Sequence, residues 1–233
     1  MKIAVFSIPE ISEGKQNVKD PRLDQVDKLV KAKKKTYIQV ELAGDDAALE
    51  ADAILILKDS RADLILKDLE FVETRLSRST LDEEKALLNK LKAGLEKEEF
   101  ISSIALSAGE LQAMSAYGLL TIKPIIVAEK QELEDFNGLL IKAVKDGGYI
   151  SFFTAGEKET RAWLIKKGTT AWEAAGAVHS DIQQGFIRAE ITSYGDYISA
   201  GGENQAKQAG KLRLEQKDYL MQDADLTTFR FNK

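Results

Sequence analysis

The most pointed chemical spacing lies near the start of the chain. A loop that cradles nucleotide phosphates needs G-x-x-x-x-G-K-[ST]: backbone N–H groups surround the phosphates, the lysine neutralises them and the hydroxyl ligates Mg²⁺. The stretch Ser7-Ile8-Pro9-Glu10-Ile11-Ser12-Glu13-Gly14-Lys15-Gln16 approaches that pattern without meeting it. Ser7 stands where the first glycine should, the interval is two residues too long, and Gln16 has no hydroxyl. Glu10 and Glu13 would set carboxylates against phosphates. The Mg²⁺ carboxylate of such sites belongs to a D-x-x-G motif on a second strand. Its match is Glu41-Leu42-Ala43-Gly44, which moves the carboxylate by a methylene although Mg²⁺ demands nearly ideal geometry. Gly14, Lys15, Glu41 and Gly44 are therefore read as a vestigial nucleotide site, and no catalytic residue is assigned.

Other chemistry is sparse. The absence of cysteine excludes disulfides and thiolate metal sites, and one histidine excludes a His-rich one, so no metal or other cofactor is expected. His179 has no evident base or nucleophile partner and follows a helix, which suits capping or packing. Trp163 alternates with Arg161 in a strand, which suits the core. The net charge of −5 is uneven: from Gly148 onward 11 basic residues balance 11 acidic ones, and residues 1–147 carry the whole deficit. Lys158, Arg161, Lys166, Lys167, Arg188, Lys207, Lys211 and Arg213 are candidates for phosphate contacts, each adding salt-dependent affinity. No apolar run reaches the roughly 18 residues of a membrane span, so no membrane partner is expected and the cytoplasm is the expected compartment.

The elements that must position these residues follow from patterning. Residues 2–8 read as a short buried strand, and Ala53–Leu57 is a continuous apolar run, as in a parallel sheet covered on both faces. Glu10 to Asp20 is polar. Asp20-Pro21-Arg22-Leu23-Asp24 reads as a loop before a short helix with Val26, Leu29 and Val30 inside, and Thr36–Leu42 alternates like a strand. Ile65, Leu69, Val72 and Leu76 share a helix face. Thr80-Leu81-Asp82-Glu83 reads as a capping box opening a second helix, so 64–98 forms a helical hairpin. Ser107-Ala108-Gly109-Glu110 is a second box, Leu119–Val127 a strand and Gly138–Lys145 a short helix. After Gly147-Gly148 come a hairpin (149–153 and 161–165), a helix at 171–178 capped by Thr169 or Thr170, a strand at 185–192, a short helix at 203–209 and strands at 211–214, 219–221 and 226–231. The order suggests an α+β domain with its helices on one sheet face.

The second part resembles the C-terminal TGS domain of the YchF/Obg-like ATPase family. The resemblance rests on Phe152-Phe153-Thr154-Ala155-Gly156-Glu157-Lys158-Glu159, Arg161-Ala162-Trp163, Gly185-Phe186-Ile187-Arg188-Ala189-Glu190, Ala200-Gly201-Gly202, Gly210-Lys211-Leu212-Arg213-Leu214 and Phe229-Arg230-Phe231-Asn232. In the first part, Asp20-Pro21-Arg22-Leu23-Asp24, Leu64–Leu76 and Leu120-Thr121-Ile122-Lys123-Pro124 resemble the same family, which is longer. The resemblance implies a shrunken P-loop GTPase-like α/β unit at 1–147 and a ubiquitin-like β-grasp domain at 148–233. It also implies a base-reading Asn after Lys123-Pro124, where this chain has Ala128-Glu129-Lys130. The expectation is therefore a non-enzyme: a translation-linked adaptor binding ribosome, RNA or a translation factor through Lys158, Arg161, Lys166, Lys167, Arg188, Lys211 and Arg213. The alternatives are a residual ATP/GTP-binding switch and a protein-docking regulator that uses the hairpin. The sequence does not fix the oligomeric state.

Overall fold

Apolar runs without alternation become the central strands of a parallel sheet, because both of their faces are covered. The computed structural model describes residues 1–232. The first half of the chain forms β1 (Lys2–Phe6), β2 (Gly14–Val18), α1 (Pro21–Val30), β3 (Lys35–Thr36), β4 (Ile38–Ala43), β5 (Ala53–Leu57), α2 (Arg61–Arg78), α3 (Asp82–Leu95), α4 (Ala108–Met114), β6 (Ile125–Ala128) and α5 (Phe136–Asp146). The second half forms β7 (Tyr149–Ala155), β8 (Thr160–Lys166), α6 (Ala171–Val178), α7 (Ser180–Gln184), β9 (Phe186–Thr192), α8 (Tyr194–Ala200), α9 (Glu203–Gln208), β10 (Arg213–Glu215) and β11 (Leu226–Phe231).

These elements pack as two units. One is Met1–Lys15 with Glu41–Gly147, the other Gln16–Val40 with Gly148–Lys233. The Gly147/Gly148 break is one of the divisions, and residues 16–40 join the second unit. One sheet has the order β2-β4-β1-β5-β6, parallel from β4 through β6, as in a P-loop GTPase-like α/β unit. Ala4, Phe6, Ile54, Ile56 and Leu64 form its core. Ile65, Val72, Leu88, Leu91 and Leu95 hold α2 against α3 in the expected hairpin. The N-cap of α3 is Leu81 rather than Thr80, so the expected box is absent, and the Ser79 hydroxyl bonds Glu84 instead. The box at Ser107 and Glu110 is present, with both reciprocal bonds. The expected strand at 119–127 shrinks to β6. Ahead of it, buried Asp68 accepts from the Leu120 and Thr121 N–H groups and the Thr121 hydroxyl, so that backbone turns rather than pairs.

The other sheet has the order β10-β9-β11-β7-β8-β3. The β7–β8 hairpin is antiparallel, and β11 lies parallel to β7 and antiparallel to β9. Two strands, a helix and a return strand beside the first are the β-grasp arrangement. On one face Phe152, Ile165, Ile191 and Phe229 pack against Ala171, Ala174 and Ala175 of α6. Thr170 and Glu173 cap that helix reciprocally.

Helices cover both faces of this sheet, not one. Asp20-Pro21-Arg22-Leu23-Asp24 is the first turn of α1 rather than a loop. Asp20 is the N-cap, accepting from the Arg22 N–H at 2.8 Å, and Pro21 takes the first helical position, where a missing N–H costs nothing. α1 packs on β7 and β8. Leu23 and Val26 are fully buried, whereas Leu29 is exposed. The Arg22 guanidinium lies over the Phe153 ring, bonds Asp20 and reaches Asp223 at 2.7 Å. Asp24 holds Lys35 at 2.6 Å and accepts from the Tyr37 hydroxyl. β3 then pairs with β8, Lys35 opposite Thr160. Tyr219–Met221 makes only an isolated bridge, Leu220 to Thr170.

Two outcomes are expected. Leu23→Ala should cost about 2–5 kcal/mol, the range for a large-to-small change in a packed core. A fragment of 148–233 should melt well below one in which 16–40 is linked to it, since α1 covers Phe153. Equal melting temperatures by circular dichroism would show that α1 is dispensable. In the other unit, hydrogen bonds from Ser79, Tyr117 and Arg75 hold Glu84 down to about 2, and Lys90 and Ser107 do the same for Glu110. Depressed carboxylates stabilise fully above their ordinary pKa near 4.5 and lose that contribution as pH falls through about 2. The melting temperature should therefore drop over this window, and drop less in Glu84→Gln.

Candidate functional site

The end of β1 is where a phosphate-binding loop would begin, and there the chain supplies its own anions. Such a loop runs from a strand into a helix whose N-terminus faces the phosphates. Here β1 leads through Ser7–Glu13 straight into β2, an edge strand of the sheet. Gly14 and Lys15 are the first residues of that strand, both exposed, with Gly14 at φ +123° where only glycine is comfortable. They do not form a cradle. Ser7 adopts a left-handed φ of 55°, and its N–H donates to the Asp45 carboxylate at 2.9 Å. Glu13 packs on Gly44 so closely that a Cβ there would lie 2.7 Å from its Oε1. The backbone donor and the glycine of the D-x-x-G match thus both face carboxylates of the chain.

Glu41 stands elsewhere. The β1–β4 register sets it beside Lys2, five residues before Ser7, roughly 16 Å along the strand. Its side chain is exposed and alternates away from buried Val40 and Leu42. So Gly44 lies near Ser7 and Glu13, while Glu41 stands exposed further back along β4, beside the edge strand that Gly14 and Lys15 open. At the base-reading position, Glu129 caps a helical turn with Glu132 and pairs with Lys58 at 2.8 Å. Lys123 donates to the Leu49 and Ala51 carbonyls at 2.7 and 2.6 Å, and burial pushes its ammonium below the ordinary lysine range. Among the described residues no group of three or more His, Asp or Glu side chains could hold a metal.

The basic candidates of the second unit do not form one patch. Arg161 stacks on the Trp163 ring at 4.0 Å and lies 4.0 Å from Glu159. Lys211 pairs with Asp196, and Arg213 with Glu215 and Asp225. Lys158, Lys166, Lys167 and Arg188 are exposed, with no ion pair among the described residues. Lys158 and Lys166 lie at opposite ends of β8, roughly 20 Å apart, and Arg188 is three strands away on β9. Trp163 belongs to the core and donates to Thr154, while His179 caps α7, its Nδ1 accepting from the Asp181 N–H.

Sequence reasoning missed a basic run. Lys31, Lys33, Lys34 and Lys35 follow α1, all exposed. Lys31 turns the chain at φ 55°, and the Lys33 N–H donates to the Glu157 carbonyl at 3.0 Å, which sets the run against the loop carrying Lys158. Lys34 and Lys35 are paired with Glu159 and Asp24, whereas Lys31 and Lys33 have no ion pair among the described residues. The signal was in plain sight as Lys-Ala-Lys-Lys-Lys. A division at 147 places it with the acidic first part, whereas it packs with the second unit. By packing unit, 18 lysines and arginines face 14 acidic residues in the second unit, a net +4. The first unit has 15 against 24, a net −9.

One outcome follows from this placement. Lys15 sits on an exposed strand, so Lys15→Ala should match the parent chain in calorimetric titrations with ATP and GTP, with and without Mg²⁺. A loss of about tenfold would put Lys15 at the phosphates.

Comparison with known proteins identifies the lineage. A family model named YchF-GTPase_C, described as a protein of unknown function (DUF933), matches residues 149–232. A "Ribosome-binding ATPase YchF" of Bacillus subtilis is 34% identical, covering 78% of this chain and 68% of that protein. The Haemophilus ducreyi protein of the same name is 36% identical over 64% of this chain and 56% of its own length. "Obg-like ATPase 1" of Pongo abelii is 49% identical over 81 residues, 35% of this chain and 20% of that one. The Schizosaccharomyces pombe YchF GTPase superposes with a TM-score of 0.75 over 99% of this chain and 97% of that one at 20% identity, which shows the fold. The chain spans only 56–68% of the length of the bacterial relatives just described. The expectation of a non-enzyme is corrected here: these relatives are named as ATPases, and the family is one of nucleotide-hydrolysing enzymes. This chain belongs to the YchF/Obg-like ATPase family.

Proposed function

We propose that this chain acts at the ribosome and that its second unit carries the contact, through the phosphate backbone of ribosomal RNA. The relatives' printed name, ribosome-binding ATPase, supports the partner. The observation that carries the assignment to the second unit is the partition of charge, +4 there against −9 in the first unit. Lys31, Lys33 and Lys158 gather where the run after α1 meets the β7–β8 turn. Lys166, Lys167 and Arg188 are further exposed cations outside that cluster. The β-grasp arrangement, read as a TGS domain, agrees with a translation-linked role, and a translation factor bound beside the ribosome is a further partner within the same reading. Such a role places the chain in the cytoplasm.

A second reading is a switch in which ATP or GTP alters ribosome affinity. The relatives' names and the GTPase-like strand order favour it. One titration addresses both. Ribosomes are titrated with the chain at several salt concentrations, with and without ATP or GTP. Three or four phosphate contacts predict a slope of log affinity against log salt of roughly −2 to −3, at about −0.7 per contact on single strands. Lys31→Glu/Lys33→Glu should weaken binding and flatten the slope by about 1.4. Lys166→Glu/Lys167→Glu tests the outlying cations in the same way. Affinity indifferent to salt and to both double variants would remove the second unit from the contact. A shift with nucleotide would establish the switch.

A further inference from the structure

Strand β8 of the second unit carries a flat cation with one face in use. Arg161 and Trp163 are two residues apart, so their side chains share a face of the sheet. The Trp163 ring is fixed from two sides. Its Nε1 donates to the Thr154 hydroxyl at 2.9 Å, and it lies within 15° of parallel to the ring of Phe152, its partner on β7. The Arg161 guanidinium sits 4.0 Å from the centre of the Trp163 ring, close enough for a stacked cation–π contact.

That guanidinium is held as a plate rather than as a paired charge. The side chain keeps 37% of its surface exposed and makes no hydrogen bond among the described residues. Glu159 approaches only to 4.0 Å, and its carboxylate is engaged by the Thr36 hydroxyl at 2.5 Å and by Lys34 at 3.2 Å. One face of the plate lies on Trp163, which leaves the other for a second flat group.

The surroundings select what that group belongs to. β3 runs beside β8 with Thr36 opposite Arg161, and Lys33 precedes Thr36 by three residues, roughly 10 Å. The bond from the Lys33 N–H to the Glu157 carbonyl brings Lys158 to the same corner. Lys31, Lys33 and Lys158 are exposed and in no ion pair among the described residues. A plate beside free lysines suits a chain that carries both flat groups and anions. Single-stranded nucleic acid is such a chain, whereas a duplex hides its base faces in the stack.

We propose that the exposed face of Arg161 is a stacking subsite for one unpaired base of ribosomal RNA, with the neighbouring phosphates held by Lys33 and Lys158. The assignment rests on the RNA reading of the second unit and narrows it to single-stranded RNA. Lysine would keep the charge at this position and lose the plane.

The probe is a labelled 12-nucleotide single-stranded RNA, compared with an abasic strand of the same length, which keeps the phosphates and removes the bases. Fluorescence anisotropy is read at several salt concentrations with the full chain, Arg161→Lys and Lys31→Glu/Lys33→Glu, and melting temperatures show that each variant is folded. The complete strand should bind about tenfold more tightly than the abasic one, the scale of one stacked base. Arg161→Lys should remove that advantage while leaving abasic binding and the salt slope unchanged. The lysine double variant should weaken both strands alike. A role for Arg161 in charge or folding alone would shift both strands equally in Arg161→Lys, which overturns the proposal. So does salt-dependent binding with no preference for the complete strand, an outcome that leaves the RNA reading standing. Displacement of the strand by ATP at an equal nucleotide concentration would give the plate to a mononucleotide and overturn it too. Absence of binding by either strand at low salt removes this proposal and the RNA reading together.

Discussion

The second unit depends on Arg22. Its guanidinium ties Asp20, the N-cap of α1, to Asp223, 201 residues away in sequence, and covers the Phe153 ring. Asp223 also accepts from the Ser151 N–H at 3.1 Å, so one carboxylate joins the helix to the backbone of β7. Two acids hold the arginine charged against the desolvation that burial imposes, and its pKa rises accordingly. A planar fork that bonds two carboxylates and lies over an aromatic ring is a role lysine does not fill. With this clamp in place, Leu23 and Val26 bury, α1 covers the second face of the sheet, and the chain leaves the helix in position for β3 to add to β8.

That docking decides which charges lie together. Residues 16–40 bring seven basic and three acidic side chains. Their transfer turns a C-terminal part with no net charge into a unit of +4. The first unit, left at −9, uses part of its surplus internally. Asp45 takes the Ser7 N–H, and Glu13 lies against Gly44. A left-handed backbone position offering its N–H to an anion is the beginning of a nest, and here the anion is the chain's own carboxylate.

The sequence made plain what local physics governs. Ala53–Leu57 could only be a strand covered on both faces, and Ser107 and Glu110 satisfy each other's backbone N–H with no help from tertiary structure. The box at Thr80 failed because the helix starts one residue later, at Asp82, and Glu84 then meets Ser79 and Arg75. β2 escaped notice because only Val18 of its five residues is buried, so an exposed edge strand leaves almost no apolar pattern. α8 carried a readable start, Ser193 bonding the Asp196 N–H, and Gly201 after its end in the left-handed region, but its seven residues bury only Tyr197. The partner of residues 16–40 was not legible at all. Nothing local to Arg22 names Asp223. The same blindness hid the basic cluster, whose members Lys33 and Lys158 are brought together by a backbone bond between Lys33 and Glu157.

The overall charge of −5 is therefore a poor guide to what this chain binds. At physiological ionic strength exposed charges are screened beyond about 8 Å. A phosphate backbone approaching Lys31, Lys33 and Lys158 responds to the charges within that distance rather than to the sum over the chain. A chain whose sum is mildly acidic can thus still offer a surface for polyanions.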